Sequence, residues 1–372
     1  MAIQHEVEFI SQNSVYYKVK QDKERKIKIY YSLPSNGVNE DTGILLFIAG
    51  FNANSNSKIY KKMRNKFADE YNLVTIQCDY FGWEFMQEAE EFKNIGISKD
   101  MFKIFTENEL EAIYKEVIFD FNKFLEIAKN YDIHLNAEAA LMEDSKNFND
   151  MGIMQAIDNI TAVLSVINIL NDAGYIFNKR KIILYGHSHG AYLAYLCNAF
   201  APTLFSLIID NSSWLYPMYI YNKRTIFGTV GKLNIKINFD YLAKKIIKDT
   251  KILDLKWLYS NFENNCNIIS YHGISDELIS NLDKKEFCNN IKKCKYQEIS
   301  ENKIDNVIFK STSHGLDADF IKLFEYTMRN GDIKFEKSNS LELLDEVIFC
   351  TEKNKYIINY CNLIPKISIS NI

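Results

Sequence analysis

The residue best suited to chemistry is Ser188, which lies at the centre of the motif Gly186-His187-Ser188-His189-Gly190. Residues 181–185 before it have the apolar run of a short buried strand, and residues 191–197 after it have the pattern of a helix. Strand, G-x-S-x-G turn and helix together predict a nucleophile elbow, which lifts the Ser188 hydroxyl above the edge of a sheet. Such a turn needs an unusual backbone conformation, which small neighbours permit.

A serine hydroxyl becomes a good nucleophile only when a base takes its proton and a third group orients that base. The predicted base is His314, in the loop after a strand predicted over residues 306–310. The alternative to catalysis is a surface loop histidine. His272, at the end of another predicted strand, is the rival base.

The predicted acid is Asp276, in the loop after the strand predicted over residues 268–272. It follows the serine and precedes the histidine, which is the chain order of triads built on this elbow. Glu277 and Asp210 are rival acids. Asp276 in a purely structural role would cap a turn or a helix.

The oxyanion of the transition state needs hydrogen-bond donors as well. The backbone N–H of His189, directly after the nucleophile, is one predicted donor. The second is expected in the loop after Gly50, from the N–H of Phe51 or, as the alternative, of Asn52. The Phe51 side chain could equally well serve core packing alone.

Apolar strand patterns alternate with helical patterns along most of the chain, which predicts an α/β fold with a mostly parallel central sheet and helices on both faces. Two longer stretches interrupt the alternation, at about residues 83–150 and 211–265. A helix is expected over residues 107–130 of the first, and the second is rich in aromatic residues. Residues 331–372 are predicted to form a β-rich C-terminal extension with a hairpin near residues 353–354.

Composition narrows the function classes. The 372 residues are 47% hydrophobic and carry a net charge of −4, which suits a globular protein and gives no basic surface for nucleic acid. Apolar runs such as residues 43–50 are too short to span a bilayer, and the first residues lack the pattern of a signal peptide. Seven dispersed cysteines without a C-x-x-C pair predict mostly buried thiols and a reducing cytoplasm. The abundance of Ile, Asn, Lys and Tyr indicates a bacterial source. Six histidines without ligand spacing predict no metal, and no cofactor is expected.

The motifs at Gly50-Phe51, 186–190, 272–276 and 313–315 resemble those of the α/β-hydrolase superfamily, in the style of its prolyl-oligopeptidase-like and dienelactone-hydrolase-like branches. The resemblance implies an α/β-hydrolase domain over residues 1–330, with residues 211–265 as a cap. Ala49 stands where relatives often carry histidine. Residues 147–156 also resemble an uncharacterised bacterial family associated with surface-sugar gene clusters.

The resemblance implies a serine hydrolase that acts on a small carboxylic ester, with an acylated sugar among the candidates. Trp214, Tyr216 and Arg224 of the second long stretch are candidate substrate-binding residues, by stacking and by pairing with an anion. Packing of the aromatic side chains in the cap's own core is the competing interpretation. An acyltransferase, a peptidase and a non-catalytic binding protein remain alternatives, and the oligomeric state stays open.

Overall fold

The structure, a computed structural model, describes residues 1–19, 23–87, 91–96, 103–115, 118–362 and 364–372. Residues 88–90, 97–102, 116 and 117 of the predicted first insertion lie outside the described residues. The chain forms two compact units. The first comprises Met1–Gln87, Asp144–Pro217 and Lys245–Ile372, and the second comprises Glu88–Glu143 and Met218–Lys244.

The strands, in chain order, are β1 (Ile3–Ser11), β2 (Arg25–Leu33), β3 (Gly43–Ile48), β4 (Leu73–Asp79), β5 (Phe92–Gly96), β6 (Tyr114–Lys115), β7 (Ile118–Phe119), β8 (His134–Ala139), β9 (Ile182–His187), β10 (Leu207–Asn211), β11 (Arg224–Val230), β12 (Leu233–Phe239), β13 (Asn267–Gly273), β14 (Cys294–Ile299), β15 (Glu346–Cys350), β16 (Asn354–Asn359) and β17 (Lys366–Asn371).

The α-helices are α1 (Lys58–Tyr71), α2 (Glu107–Ile113), α3 (Phe121–Ala128), α4 (Ile153–Asp172), α5 (His189–Phe200), α6 (Met218–Tyr221), α7 (Ala243–Ile246), α8 (Leu255–Ser260), α9 (Asn281–Asn289) and α10 (Phe320–Asn330). Short 3-10 turns occupy Trp83–Met86, Lys251–Leu253 and Glu301–Lys303.

A central sheet of eight strands organises the first unit, in the order β1-β2-β4-β3-β9-β10-β13-β14. The six strands from β4 to β14 in this order are parallel, and β2 is antiparallel to both of its neighbours. Strands β3, β4, β9 and β10 are buried along nearly their whole length, as expected for parallel strands covered on both faces. The predicted fold class is confirmed.

The prediction of a strand over residues 306–310 is wrong. The last strand of the sheet is β14, which lies earlier in the chain. The carboxylate of Asp305 accepts hydrogen bonds from the amides of Val307, Ile308 and Phe309, at 2.9, 2.7 and 3.0 Å. These bonds wrap the backbone into a turn and occupy the amides that a sheet would need. The real strand, β14, is half polar and only partly buried, so its sequence pattern is weak.

Helix α4 packs inside the first unit, against β4 and the helix that follows Ser188. By length and composition alone it could cross a membrane, but 89% of its apolar window is buried within the protein. Asp158, in its second turn, is completely buried and pairs with Arg25 of β2 at 2.5 Å. This buried ion pair and the burial of its apolar residues are expected of a helix that packs in the core of the first unit.

The second unit is a four-stranded sheet in the order β11-β12-β8-β5. Leu135 and Leu233 of this sheet join Ile113 and Phe124 of helices α2 and α3 in one apolar cluster. The range 107–130, where the sequence predicts at least one helix, contains two helices, α2 and α3. The second begins at Asp120, whose side chain accepts the Lys123 amide at 2.9 Å as an N-cap.

The C-terminal residues form an antiparallel sheet, β15-β16-β17, inside the first unit. Its first hairpin turns at residues 351–353, where the sequence predicts one. The buried carboxylate of Asp249 accepts hydrogen bonds from Thr351 at 2.5 Å and from Tyr356 at 3.0 Å. These bonds fasten the C-terminal sheet to the loop that contains Asp249.

Candidate active site

The candidate nucleophile lies between β9 and α5. Ser188 has φ 55° and ψ −123°, a conformation rarely adopted by residues with a side chain. A Cβ added to Gly186 would lie 2.4 Å from the Ala191 nitrogen, and one added to Gly190 would lie 2.1 Å from the Ile48 oxygen. The two glycines of the motif are therefore required by the close approach of neighbouring backbone.

The structure brings Ser188, His314 and Asp276 together. His314 Nε2 lies 2.7 Å from Ser188 Oγ, and its Nδ1 lies 2.8 Å from Asp276 Oδ2. With the proton on Nδ1, the ring donates to the carboxylate and accepts the serine hydroxyl. This is the hydrogen-bonding pattern of a nucleophile, its base and the group that orients the base.

The loop after β13 holds the Asp276 carboxylate in place. Its Oδ1 accepts the backbone amides of Leu278 and Ile279 at 2.9 and 3.1 Å, which leaves Oδ2 for the His314 ring. Burial acts to raise the pKa of Asp276, but the hydrogen bond and charge of His314 leave that pKa below its ordinary value. The carboxylate therefore stays ionised at neutral pH.

The rival acids have other surroundings. Glu277 is exposed to solvent. Asp210 is completely buried and pairs with the equally buried Lys284 at 2.7 Å, and it also accepts the Ser270 hydroxyl at 2.8 Å. Burial acts to raise the pKa of Asp210, and the Lys284 charge leaves it below its ordinary value. The Asp210 carboxylate therefore forms an internal ion pair with Lys284.

The rival base, His272, is completely buried beside Asp276. Its Nε2 lies 2.9 Å from the Ile279 carbonyl oxygen and 3.5 Å from Asp276 Oδ2. Burial and the nearby Lys284 charge lower the pKa of His272. Its neutral ring donates to a carbonyl group, whereas the ring in contact with Ser188 Oγ is that of His314.

The predicted oxyanion donors are the amides of His189, next to Ser188 in the chain, and of Phe51, in the loop after β3. His189 is the first residue of α5, and the first amides of a helix have no partner within the helix. Gly50 approaches the elbow so closely that an added Cβ would be 2.9 Å from the His187 oxygen. In the same loop, the Asn52 amide donates to the Met86 carbonyl at 3.2 Å, so this alternative donor is engaged elsewhere. The role of the Phe51 amide stays a prediction.

Tyr80 contacts the loop of the predicted oxyanion donor, and the sequence analysis did not identify it. This buried residue follows β4, and its hydroxyl donates to the Ala49 carbonyl at 2.6 Å, one residue before Gly50. The position after a parallel strand could have drawn attention to it, but tyrosine is common in cores. The contact steadies the loop in which Ala49 replaces the histidine of relatives.

An aromatic cluster lies beside the serine. The Phe51 ring is 5.3 Å from Trp214 and 5.1 Å from His189, and His189 is 5.0 Å from Trp214. Trp214 is only 1% exposed, whereas Tyr216 is 42% exposed. Arg224 lies in the second unit, where its guanidinium stands 5.0 Å over the Phe239 ring. Substrate binding by Trp214, Tyr216 and Arg224 stays a prediction.

The histidines on either side of Ser188 are neutral. Burial, together with the nearby His314 ring, lowers the pKa of His187 to about 4, and burial lowers the pKa of His189 to about 3. Uncharged side chains at both positions keep positive charge away from the His314 base. Among the described residues, no group of three or more His, Cys, Asp or Glu side chains is placed to hold a metal ion.

Fold and site together define the class of protein. The elbow ends β9, the fifth strand in the order of a mostly parallel sheet, and the Asp276 and His314 loops follow β13 and β14. This arrangement gives the chain the α/β-hydrolase fold. The chain belongs to the family described as Protein of unknown function (DUF2920), which matches residues 4–243. The matched region includes Ser188, whereas Asp276 and His314 lie beyond it.

Comparison with curated proteins found no match. Similar solved structures include Est1E from Butyrivibrio proteoclasticus with bound ferulic acid, at 13% identity and TM-score 0.43, covering 82% of this chain and 95% of that one. Thermogutta terrifontis esterase 2 phosphonylated by sarin is 13% identical with TM-score 0.44, covering 87% and 92%. Pyrococcus horikoshii acylaminoacyl peptidase is 11% identical with TM-score 0.46, covering 88% and 40%. With TM-scores below 0.5, neither substrates nor residue roles transfer from these proteins.

Proposed function

We propose that this protein is a serine hydrolase that cleaves a carboxylic ester through an acyl-enzyme. The observation that carries the proposal is the continuous hydrogen-bonded path from Ser188 Oγ through the His314 ring to Asp276, with distances of 2.7 and 2.8 Å. The elbow strain at Ser188 supports it, because strained backbone concentrates at functional sites.

The first half of the reaction forms the acyl-enzyme. His314 Nε2 takes the proton of Ser188 as Oγ bonds to the ester carbonyl carbon, and Asp276 stabilises the imidazolium. The amides of His189 and Phe51 hold the negative oxygen of the tetrahedral intermediate. His314 then gives the proton to the leaving alkoxide oxygen, and the carbon–oxygen bond of the ester breaks.

The second half repeats these steps with water. His314 takes a proton from water, the hydroxide oxygen bonds to the acyl carbon, and Ser188 Oγ leaves with the proton that His314 returns. An acylated sugar is the proposed substrate among small esters, and Tyr216 is the exposed aromatic side chain that would stack on it. A cytoplasmic location remains part of the proposal, supported by seven free cysteines.

Hydrolysis of p-nitrophenyl esters of increasing acyl length tests the proposal. We expect wild-type turnover, a loss of about 10⁴–10⁶ in kcat for Ser188→Ala and His314→Ala, and a loss of about 10⁴ for Asp276→Asn. Glu277→Gln, next to the acid, is the matched control and keeps wild-type turnover. Equal turnover by wild type and Ser188→Ala contradicts the proposal.

The same assay with an added alcohol separates hydrolysis from acyl transfer, because a transferase gives the new ester in place of the free acid. Replacing the esters with aminoacyl p-nitroanilides tests the peptidase alternative. A folded wild type that binds esters without cleaving them would support the non-catalytic alternative.

A further inference from the structure

The dipeptide Asn211-Ser212, at the end of β10, contacts both the nucleophile and the loop of the base. The Asn211 carbonyl accepts the Ser188 amide at 2.9 Å. The Asn211 side-chain amide donates to the Gly315 carbonyl at 3.2 Å, and Ser212 Oγ accepts the Gly315 amide at 3.1 Å. Both hydrogen-bonding groups of the residue after His314 therefore contact this dipeptide, and the Gly315 carbonyl also accepts the Ala318 amide at 3.2 Å.

The dipeptide is itself fixed in place. Asn211 and Ser212 are completely buried, and the Ser212 amide donates to the Tyr271 carbonyl on β13 at 2.9 Å. Ser212 has φ 56°, an uncommon conformation for serine, and its hydroxyl donates to Asn211 Oδ1 at 3.2 Å. This last bond orients the Asn211 side chain so that its NH₂ group faces Gly315.

Gly315 leaves the loop little freedom to move towards the elbow. It has φ 81°, and an added Cβ would lie 2.5 Å from Nε2 of His187. One side of the residue is thus closed by His187 and its two polar backbone groups are held by the dipeptide. His314 precedes it directly, so the position of the imidazole relative to Ser188 depends on these contacts.

We propose that Asn211 and Ser212 are positioning residues that set the distance between Ser188 Oγ and His314 Nε2. The proposal rests on the proposed function. The two side chains act through Gly315. A displacement of about 1 Å between reacting groups costs on the order of 10²-fold in rate.

Ser212→Gly is the principal test, because φ 56° suits glycine and the change removes the hydroxymethyl side chain that accepts the Gly315 amide. Asn211→Asp is the second variant, since it keeps the side-chain shape and removes the donor to Gly315. Asp332→Gly is the matched control: Asp332 is exposed, lies after α10 and has φ 50°. All three are compared with the full-length wild type.

The readouts are the labelling rate with a fluorophosphonate, kcat and KM for p-nitrophenyl acetate, and the thermal midpoint. We expect the labelling rate and kcat of Ser212→Gly and Asn211→Asp to fall about 10–100-fold, with KM within twofold of wild type. Asp332→Gly should match wild type. A merely structural role would lower the thermal midpoint and leave the rate per folded molecule unchanged.

Two negative outcomes have different meanings. If wild type is labelled and Ser212→Gly is labelled equally fast per folded molecule, the positioning proposal is overturned and the proposed function stands. If folded wild type is not labelled at all, the proposed function falls, and the positioning proposal falls with it.

Discussion

The hydroxyl group of Tyr80 donates a hydrogen bond of 2.6 Å to the carbonyl oxygen of Ala49. Burial raises the pKa of this tyrosine well above its ordinary value, so its hydroxyl group stays protonated and remains a donor at neutral pH. Ala49 immediately precedes Gly50 and Phe51, whose loop is expected to supply an oxyanion donor. The position of that loop therefore depends in part on one phenol.

Tyr80→Phe removes this hydrogen bond and keeps the ring. We expect kcat for an activated ester to fall about tenfold, because an oxyanion donor contributes only when it is correctly placed. The control is Tyr360→Phe, whose hydroxyl donates to the Phe200 carbonyl at 2.8 Å elsewhere in the unit. Both variants should lose about 1 kcal/mol of unfolding free energy, but only Tyr80→Phe should lose turnover. Equal turnover in the two variants would refute the role of Tyr80.

Gly190→Ala tests the close approach of the elbow to β3. The new Cβ would meet the Ile48 oxygen at 2.1 Å, so backbone must shift. We expect a loss of about 1–3 kcal/mol in unfolding free energy, measured by urea denaturation, together with loss of turnover. Gly228→Ala is the control, because a Cβ there meets nothing within 4 Å. A Gly190→Ala variant as stable as Gly228→Ala would show that the elbow is less tightly packed.

Lys284→Met tests the buried ion pair between Lys284 and Asp210, the rival acid. The change leaves a buried carboxylate without its cation, which costs about 3–5 kcal/mol of unfolding free energy. Lys256→Met, at an exposed pair with Asp283, should cost at most about 1 kcal/mol. Replacing both members, with Asp210→Asn added to Lys284→Met, should recover much of the loss. Similar stability of the two single variants would contradict the buried ion pair.

The buried His189 predicts a pH dependence of stability. Its folded pKa of about 3 lies below the unfolded value of about 6.5, so between these pH values only the unfolded chain binds the proton. The stability that neutral His189 contributes is fully present above pH 6.5. Below that pH the free energy of unfolding falls by about 1.4 kcal/mol per pH unit. His189→Met should shrink the difference in unfolding free energy between pH 7 and pH 5 by about 2 kcal/mol.

The control for this measurement is His134→Gln, at an exposed position on β8, which should keep the wild-type difference between the two pH values. A His189→Met variant with the full wild-type pH dependence would show that His189 takes up a proton in the folded state.

The local pattern of the sequence was enough to predict five of the six parallel strands, all but β14, and the serine turn. Continuous apolar runs mark β3 and β9, and the glycines around Ser188 meet a steric need that is local to the elbow. The structure also places the His314 ring against Ser188 Oγ and the Asp276 carboxylate against that ring, although their roles stay predictions. Their loops lie at the same sheet edge because each follows a parallel strand.

Other features depend on contacts distant in the sequence. Strand β14 is half polar, and the Asp305 turn is stabilised by side-chain hydrogen bonds that hydropathy does not register. The sheet of the second unit pairs β8 with β12, from two separate stretches of chain. The bond from Tyr80 to Ala49 and that from Asn211 to Gly315 exist only once the sheet has formed.

Intact-mass analysis after treatment with a fluorophosphonate tests the central claim most directly. Such a reagent bonds to a serine oxygen that a neighbouring base has activated. The account predicts one adduct per wild-type chain and none on Ser188→Ala of equal thermal stability. A folded wild type without an adduct, or an equal adduct on Ser188→Ala, would contradict it.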